Sequence, residues 1–173
     1  RRGRGGGLHD GLAPGPVLGQ DPRMHGKLVE LEIEVAALAG NPLGDPSRRT
    51  VRVYLPPGHD GKGLPTVTFL HGFSGSGRGW ENVSLFQPTV PERIDARVAS
   101  GALPPFVAVF PDGATRLGGT QWIDAPGVGR YQTYVAEEVV RAVEGRFWTL
   151  AVREARARLA ILEQTNDGFA LAE

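Results

Sequence analysis

The residues best placed to do chemistry are His71-Gly72-Phe73-Ser74-Gly75, which follow the apolar run Val67-Thr68-Phe69-Leu70. A buried strand that runs into glycine-flanked turn residues frees a backbone N–H from the ladder. The glycines let the chain turn sharply, so that a backbone N–H faces open space rather than a ladder partner. Such a donor acts only opposite a nucleophile. The chain has no cysteine and therefore no thiol, and the seryl signature G-x-S-x-G occurs nowhere in its 173 residues. The histidines are His9, His25, His59 and His71, and none is spaced with another as a metal pair. No metal and no other cofactor is expected.

Composition narrows the classes. A chain of 173 residues allows one domain with a sizeable core. Its 19 basic and 19 acidic residues cancel, which gives no general drive toward nucleic acid or an anionic membrane. Arg1-Arg2-Gly3-Arg4 opens too short a basic stretch for an RNA-binding tail, so no nucleic-acid partner is expected. No apolar stretch approaches the roughly 20 residues that span a bilayer, and no signal peptide is visible, so the expectation is a cytoplasmic protein with no membrane partner.

The elements that must position the turn follow from periodicity. Residues 1–26 are rich in Gly, Pro and Arg without an apolar period, which predicts an unstructured tail and a domain over 27–173. Val29, Leu31, Ile33 and Val35 alternate with Glu30, Glu32 and Glu34, the pattern of a half-exposed strand near a sheet edge. The three aligned glutamates read as a solvated face rather than a metal site. Residues 40–46 carry loop chemistry, and 50–55 alternate as a second strand. Residues 66–70 and 106–110 are apolar runs of the kind buried on both faces, and a helix over 91–100 between them completes a strand–helix–strand unit. Val135, Val139, Val143 and Phe147 recur every four residues and predict a helix over 132–147, with Glu137 and Arg141 paired on its outer face. Residues 157–162 have the apolar content of a further strand, or of a continued helix. The fold class is α/β, with a mixed, mostly parallel sheet flanked by helices. Trp80 and Trp122 are expected to pack loops over the sheet edge.

Four stretches occur in order: Val53-Tyr54-Leu55-Pro56-Pro57-Gly58, Phe69-Leu70-His71-Gly72-Phe73-Ser74-Gly75, Phe110-Pro111-Asp112-Gly113, and Tyr131-Gln132-Thr133-Tyr134-Val135-Ala136-Glu137-Glu138-Val139. Together they resemble the N-terminal half of the esterase D-like branch of the α/β-hydrolases, over roughly residues 27–150. The resemblance implies a partial α/β-hydrolase fold and a Ser-His-Asp hydrolase of small-molecule esters or thioesters. It makes His71, Gly72, Ser74 and Gly75 part of the loop forming the site and the Phe73 N–H one oxyanion donor. For Trp80 and Trp122 it offers lining of an acyl pocket as the alternative to loop packing. In that fold the base follows the nucleophile in sequence, so His71 is not expected to be the base.

The resemblance also aligns Ala160-Ile161-Leu162-Glu163-Gln164-Thr165-Asn166-Asp167-Gly168-Phe169 with the nucleophile elbow. Thr165 then takes the nucleophile position and Asn166 the second oxyanion donor, while Glu163 and Asp167 replace the elbow glycines. Side chains at those two positions crowd the strained turn and set negative charge beside a developing oxyanion. The expectation is a truncated or degenerate esterase, inactive as this chain, able to self-associate through an uncovered sheet edge. Two other classes compete. One is a non-catalytic binding or interaction domain of the same fold. The other is nucleotide binding at Gly75-Ser76-Gly77-Arg78-Gly79, which lacks both G-x-G-x-x-G spacing and a P-loop Lys.

Overall fold

The computed structural model describes residues 23–149. The expectations for residues 1–22 and for the segment after Thr149, including a strand over 157–162, lie outside the described residues.

Four strands form one sheet: β1 (Lys27–Glu34), β2 (Arg48–Leu55), β3 (Thr66–Thr68) and β4 (Val107–Pro111), in spatial order β1-β2-β4-β3. β1 pairs antiparallel with β2, β2 antiparallel with β4, and β3 parallel with β4. The two apolar runs are thus adjacent and parallel, as their patterns predict, joined through helix α1 (Val90–Ala99). Parallel pairing does not dominate the described sheet, because β1 and β2 are linked by the short 35–47 connection and fold back as a hairpin. Asn41 fixes that connection by donating to the Leu38 and Asp45 carbonyls and accepting from the Asp45 N–H.

Strand alternation sends side chains to two separate layers. Val29, Val53, Val107 and Val109 face one core with Tyr131, Val139 and Val143. Tyr54, Ala108 and Phe110 face the other, with Ile94 of α1. β1 has glutamates on its outward positions and lies at the sheet edge. Its Glu30 reaches Arg52 at 3.0 Å and Arg78 at 3.0 Å, and Glu32 pairs Arg48 at 3.4 Å. Glu30 and Glu32 are thus spent on arginines, and Glu34 accepts from the Ser47 hydroxyl.

α1 starts where Thr89 and Glu92 form a reciprocal capping box, with Pro91 in the first turn, and ends before Gly101, whose φ of 75° suits a helix-terminating position. The second helical stretch is composite. It opens as α over α2 (Tyr131–Thr133), widens to π over Tyr134–Val139 and closes as α3 (Val140–Phe147). Apolar residues four apart drift by about 40° per step around an ideal α-helix. The wider π turn takes back part of that drift, and Val135, Val139, Val143 and Phe147 all stay buried. Ala136, beside them in sequence, is exposed.

Residues 23–26, ahead of the predicted boundary at Lys27, also pack on the domain. Met24 is buried, and the backbone N–H groups of His25 and Gly26 each donate to the Asp95 carboxylate at 2.7 Å. Asp95 lies buried on α1 and also accepts from the Tyr54 hydroxyl at 3.0 Å. A buried carboxylate needs such donors, and Gly26 supplies one in a space too tight for a side chain, where a Cβ would come within 2.5 Å of the Leu55 oxygen.

Candidate functional site

Beyond β3 the chain keeps one more ladder bond, from the Phe69 N–H to the Val109 oxygen at 2.8 Å, and then leaves the sheet. Residues 72–75 close a tight turn in which the Gly75 N–H donates to the Gly72 oxygen at 2.9 Å. The intervening N–H groups of Phe73 and Ser74 donate to no described residue. Phe73 is half exposed.

His71 is the buried foot of this turn. Its Nε2 accepts from the Gly113 N–H at 2.9 Å. A backbone N–H can only donate, so the ring proton sits on Nδ1, which lies 2.8 Å from the Gly72 oxygen and donates to it. Both ring nitrogens are occupied. The ring is a strut between the end of β4 and the turn, with both nitrogens engaged by backbone.

Loops from three directions converge on this strut. Asp112, directly after β4, accepts from the Gly77 N–H at 3.1 Å and the Ala114 N–H at 3.3 Å, and its Oδ1 lies 3.7 Å from His71 Nε2. Trp122 stacks edge-on against His71 with ring centroids 5.0 Å apart, and its Nε1–H donates to the His71 oxygen at 2.9 Å. Trp122 does this from the left-handed region, φ 56°, which a bulky residue occupies only when its surroundings hold it there. Two glycines make the convergence possible. A Cβ on Gly113 would sit 2.7 Å from the Trp122 ring, and one on Gly119 would sit 1.9 Å from the Phe73 oxygen.

A buried polar group backs the 112–116 loop. Arg49 donates to the Ala114 oxygen at 2.9 Å and to the Tyr131 hydroxyl at 2.7 Å. Asp45 accepts from the Arg116 N–H at 3.1 Å. Burial holds the Tyr134 phenol well above its ordinary value, the Arg49 charge opposing and the Asp112 charge adding. Burial raises Tyr131 in the same way, against the pull of Arg49. No group of three or more His, Cys, Asp or Glu side chains able to hold a metal occurs among the described residues.

The structure therefore brings His71, Gly72, Phe73, Ser74 and Gly75 together with Asp112, Gly113 and Trp122. Thr165 and Asn166 lie outside the described residues, as does His9. The His25 N–H is spent on Asp95, and His59 lies in an exposed loop. The glycine run 75–79 is used in packing: Ser76 caps the 3-10 turn Gly77–Glu81, and Gly77 presses on the end of β4, where a Cβ would sit 3.0 Å from the Pro111 oxygen. Trp80 packs on Phe69 and Phe110, as expected of a loop-packing residue. The sequence reading missed the locks made by Trp122 and Gly119. The adjacent pair Gly118-Gly119, ending three residues before Trp122, was the available sign that two backbones approach closely there.

The sequence profile described as "Putative esterase" matches residues 45–159. Comparison with curated protein sequences gives no match. Among solved structures, the chain is similar to a ferulic acid esterase, with a TM-score of 0.60 and 22% identity over 76% of this chain and 48% of that one. It is also similar to an S-formylglutathione hydrolase from Agrobacterium tumefaciens, with a TM-score of 0.55 and 18% identity over 77% of this chain and 48% of that one. A CE1 ferulic acid esterase from Anaeromyces mucronatus matches with a TM-score of 0.54 and 17% identity over 75% of this chain and 46% of that one. At these identities the likeness is one of fold, an α/β arrangement, and the chain spans about half the length of each of these structures.

Proposed function

The chain belongs to the putative esterase family, and from that premise we propose that it carries the oxyanion-loop half of a serine esterase site. The finer assignment is to the esterase D-like branch, acting on a small carboxylic ester or thioester. One observation carries the reading: the 72–75 turn leaves the Phe73 and Ser74 N–H groups without a described partner, while His71 beneath it has both ring nitrogens engaged. A substrate carbonyl oxygen set against those donors gains hydrogen bonding as attack turns it into an oxyanion, and preorganised donors are the usual source of such stabilisation. By the resemblance, Thr165 stands at the nucleophile position and Asn166 supplies the second donor.

A chain with no G-x-S-x-G and no histidine after His71 is not expected to turn esters over by itself. Amide NMR of the labelled chain titrated with an alkyl phosphonate, which mimics the tetrahedral oxyanion, tests the donor assignment. Saturable shifts at Phe73 and Ser74 are expected, and unmoved resonances at both would sink it. Hydrolysis of p-nitrophenyl acetate well above buffer, abolished by Thr165→Ala, would show instead that the elbow works. The missing seryl signature favours a second reading, a non-catalytic binding domain, for which the same turn would hold a carboxylic acid with no turnover in any context. The outer edge of β3 has no strand partner among the described residues. On the proposed reading it pairs with a second copy, and light scattering that finds only monomer would remove that partner.

A further inference from the structure

We propose that loop 82–88 and the adjoining face of α1 form a docking surface for the phosphate headgroups and upper acyl region of an anionic lipid layer. The inference is independent of the esterase reading and uses a different part of the molecule. Val83, Leu85 and Phe86 are 73%, 94% and 93% exposed, and every residue from 82 to 88 is exposed. Leu85 and Phe86 border an open groove of about 610 Å³ whose other wall is α1, lined by Glu92, Arg93 and Arg97 together with Arg23.

The charge on this face is one-sided once internal pairing is taken into account. Glu81 is bound by the Arg52 guanidinium at 2.5 Å. Asp95 is buried under two backbone N–H groups and a phenol. Glu92 closes the Thr89 capping box and pairs Arg23 at 2.9 Å. Arg93 and Arg97 stand one turn apart on the exposed side of α1 and pair with no carboxylate among the described residues. Neighbouring acids are thus withdrawn, and two guanidinium groups are presented beside protruding apolar tips. Guanidinium suits bidentate contact with phosphate, and apolar side chains beside it suit the boundary between headgroups and acyl chains. A protein partner would be better served by a contiguous flat apolar patch, whereas projecting tips flanked by cations suit a layer they can penetrate. The neutral net charge of the whole chain concerns long-range attraction and does not bear on this local arrangement.

Flotation of the full 173-residue chain with lipid vesicles tests the proposal, because aggregates sediment and do not float. The chain should float with phosphatidylcholine vesicles containing roughly one-third phosphatidylglycerol, and not with phosphatidylcholine alone. Leu85→Ser with Phe86→Ser, and separately Arg93→Gln with Arg97→Gln, should each weaken partitioning about tenfold. Raising salt to about 0.5 M should weaken it as well. Thermal melts of both double variants should match the parent, since the changed side chains are exposed. No flotation of the parent, or flotation unchanged in either double variant, would overturn the proposal. A lipid-free dimer that the Leu85→Ser, Phe86→Ser pair abolishes would also overturn it, by assigning the loop to contact between copies.

Discussion

Two consecutive stretches of loop, 71–81 and 82–88, are built in opposite ways. In the first, nearly every turn is fixed from outside: His71 by Gly113 and Trp122, Gly77 by Asp112, and Glu81 by Arg52. In the second, the Phe86 N–H makes a local contact with the Ser84 hydroxyl at 3.4 Å, and all seven residues are exposed. The contrast separates two uses of a loop. Backbone N–H groups that must meet an oxyanion gain from being held in place before the substrate arrives. Side chains that meet a deformable surface need only to protrude.

The largest effect should come from breaking the support of the first stretch at Gly119. Gly119→Ala forces a methyl group into the Phe73 carbonyl, 1.9 Å away, with backbone on both sides and no side chain to swing aside. We expect a loss of about 3 kcal/mol, at the upper end for overpacking, read from the urea midpoint. Gly127→Ala, whose Cβ meets nothing within 4 Å, is the matched control and should leave the midpoint in place. Equal midpoints for both variants would mean that the 118–119 segment does not hold the turn. Trp122→Phe comes next. It keeps an aromatic ring over His71 but removes the Nε1–H donated to the His71 oxygen. A buried carbonyl left without its donor should cost about 1–3 kcal/mol. The Phe73 amide resonance should move in the same variant, which a merely global loss of stability would not produce.

A smaller effect tests whether the looseness of 82–88 extends to the helix behind it. Asp95 clamps α1 to β2 through the Tyr54 hydroxyl. Tyr54→Phe removes one of the three donors and should cost about 1 kcal/mol. Burial, together with the Asp95 charge and hydrogen bond, raises the Tyr54 phenol above its ordinary value. With the folded value above the unfolded one, the stabilisation is fully present below the unfolded value of about 10 and is lost as pH rises through the folded value. The parent should therefore lose stability progressively above about pH 10, and Tyr54→Phe should flatten that decline. It should not abolish it, because Tyr131 and Tyr134 are raised as well. Identical alkaline slopes in parent and variant would rule out Tyr54 as a contributor.

What could be read from the sequence divides along similar lines. The four strands, α1 and the buried face of the composite helix were legible because alternation and four-residue spacing are direct consequences of burial, and burial dominates at Val53, Val109, Val139 and Val143. The turn after His71 was legible because glycines at a strand end permit a sharp reversal of the chain. The π segment was not, since bond pattern depends on how a helix docks and not on residue type. Nor was the role of Trp122, whose left-handed backbone accompanies contacts with His71, 51 positions away in sequence, and with the nearer Gly113. The packing of residues 23–26 was hidden for the same reason. Met24-His25-Gly26 has no period of its own and is ordered by Asp95, 69 residues on from Gly26.

The smallest expected effect is also the sharpest statement about the second stretch. Leu85→Ser with Phe86→Ser deletes two of the larger apolar side chains among the described residues. Elsewhere in a domain such a pair would remove several kcal/mol, at about 1.5–3 kcal/mol for each side chain taken from water. At 94% and 93% exposure these two are hardly removed from water at all, so the folded and unfolded chains lose nearly the same hydration term. The urea midpoint should move by no more than about 0.5 kcal/mol in either direction, the range for surface substitutions away from special features. α1 should be unaffected, because its start depends on the Thr89 and Glu92 capping box and not on the loop before it. A loss beyond about 1 kcal/mol would place Leu85 and Phe86 in a packed environment in solution, and the contrast between the held and the free stretch would have to be redrawn.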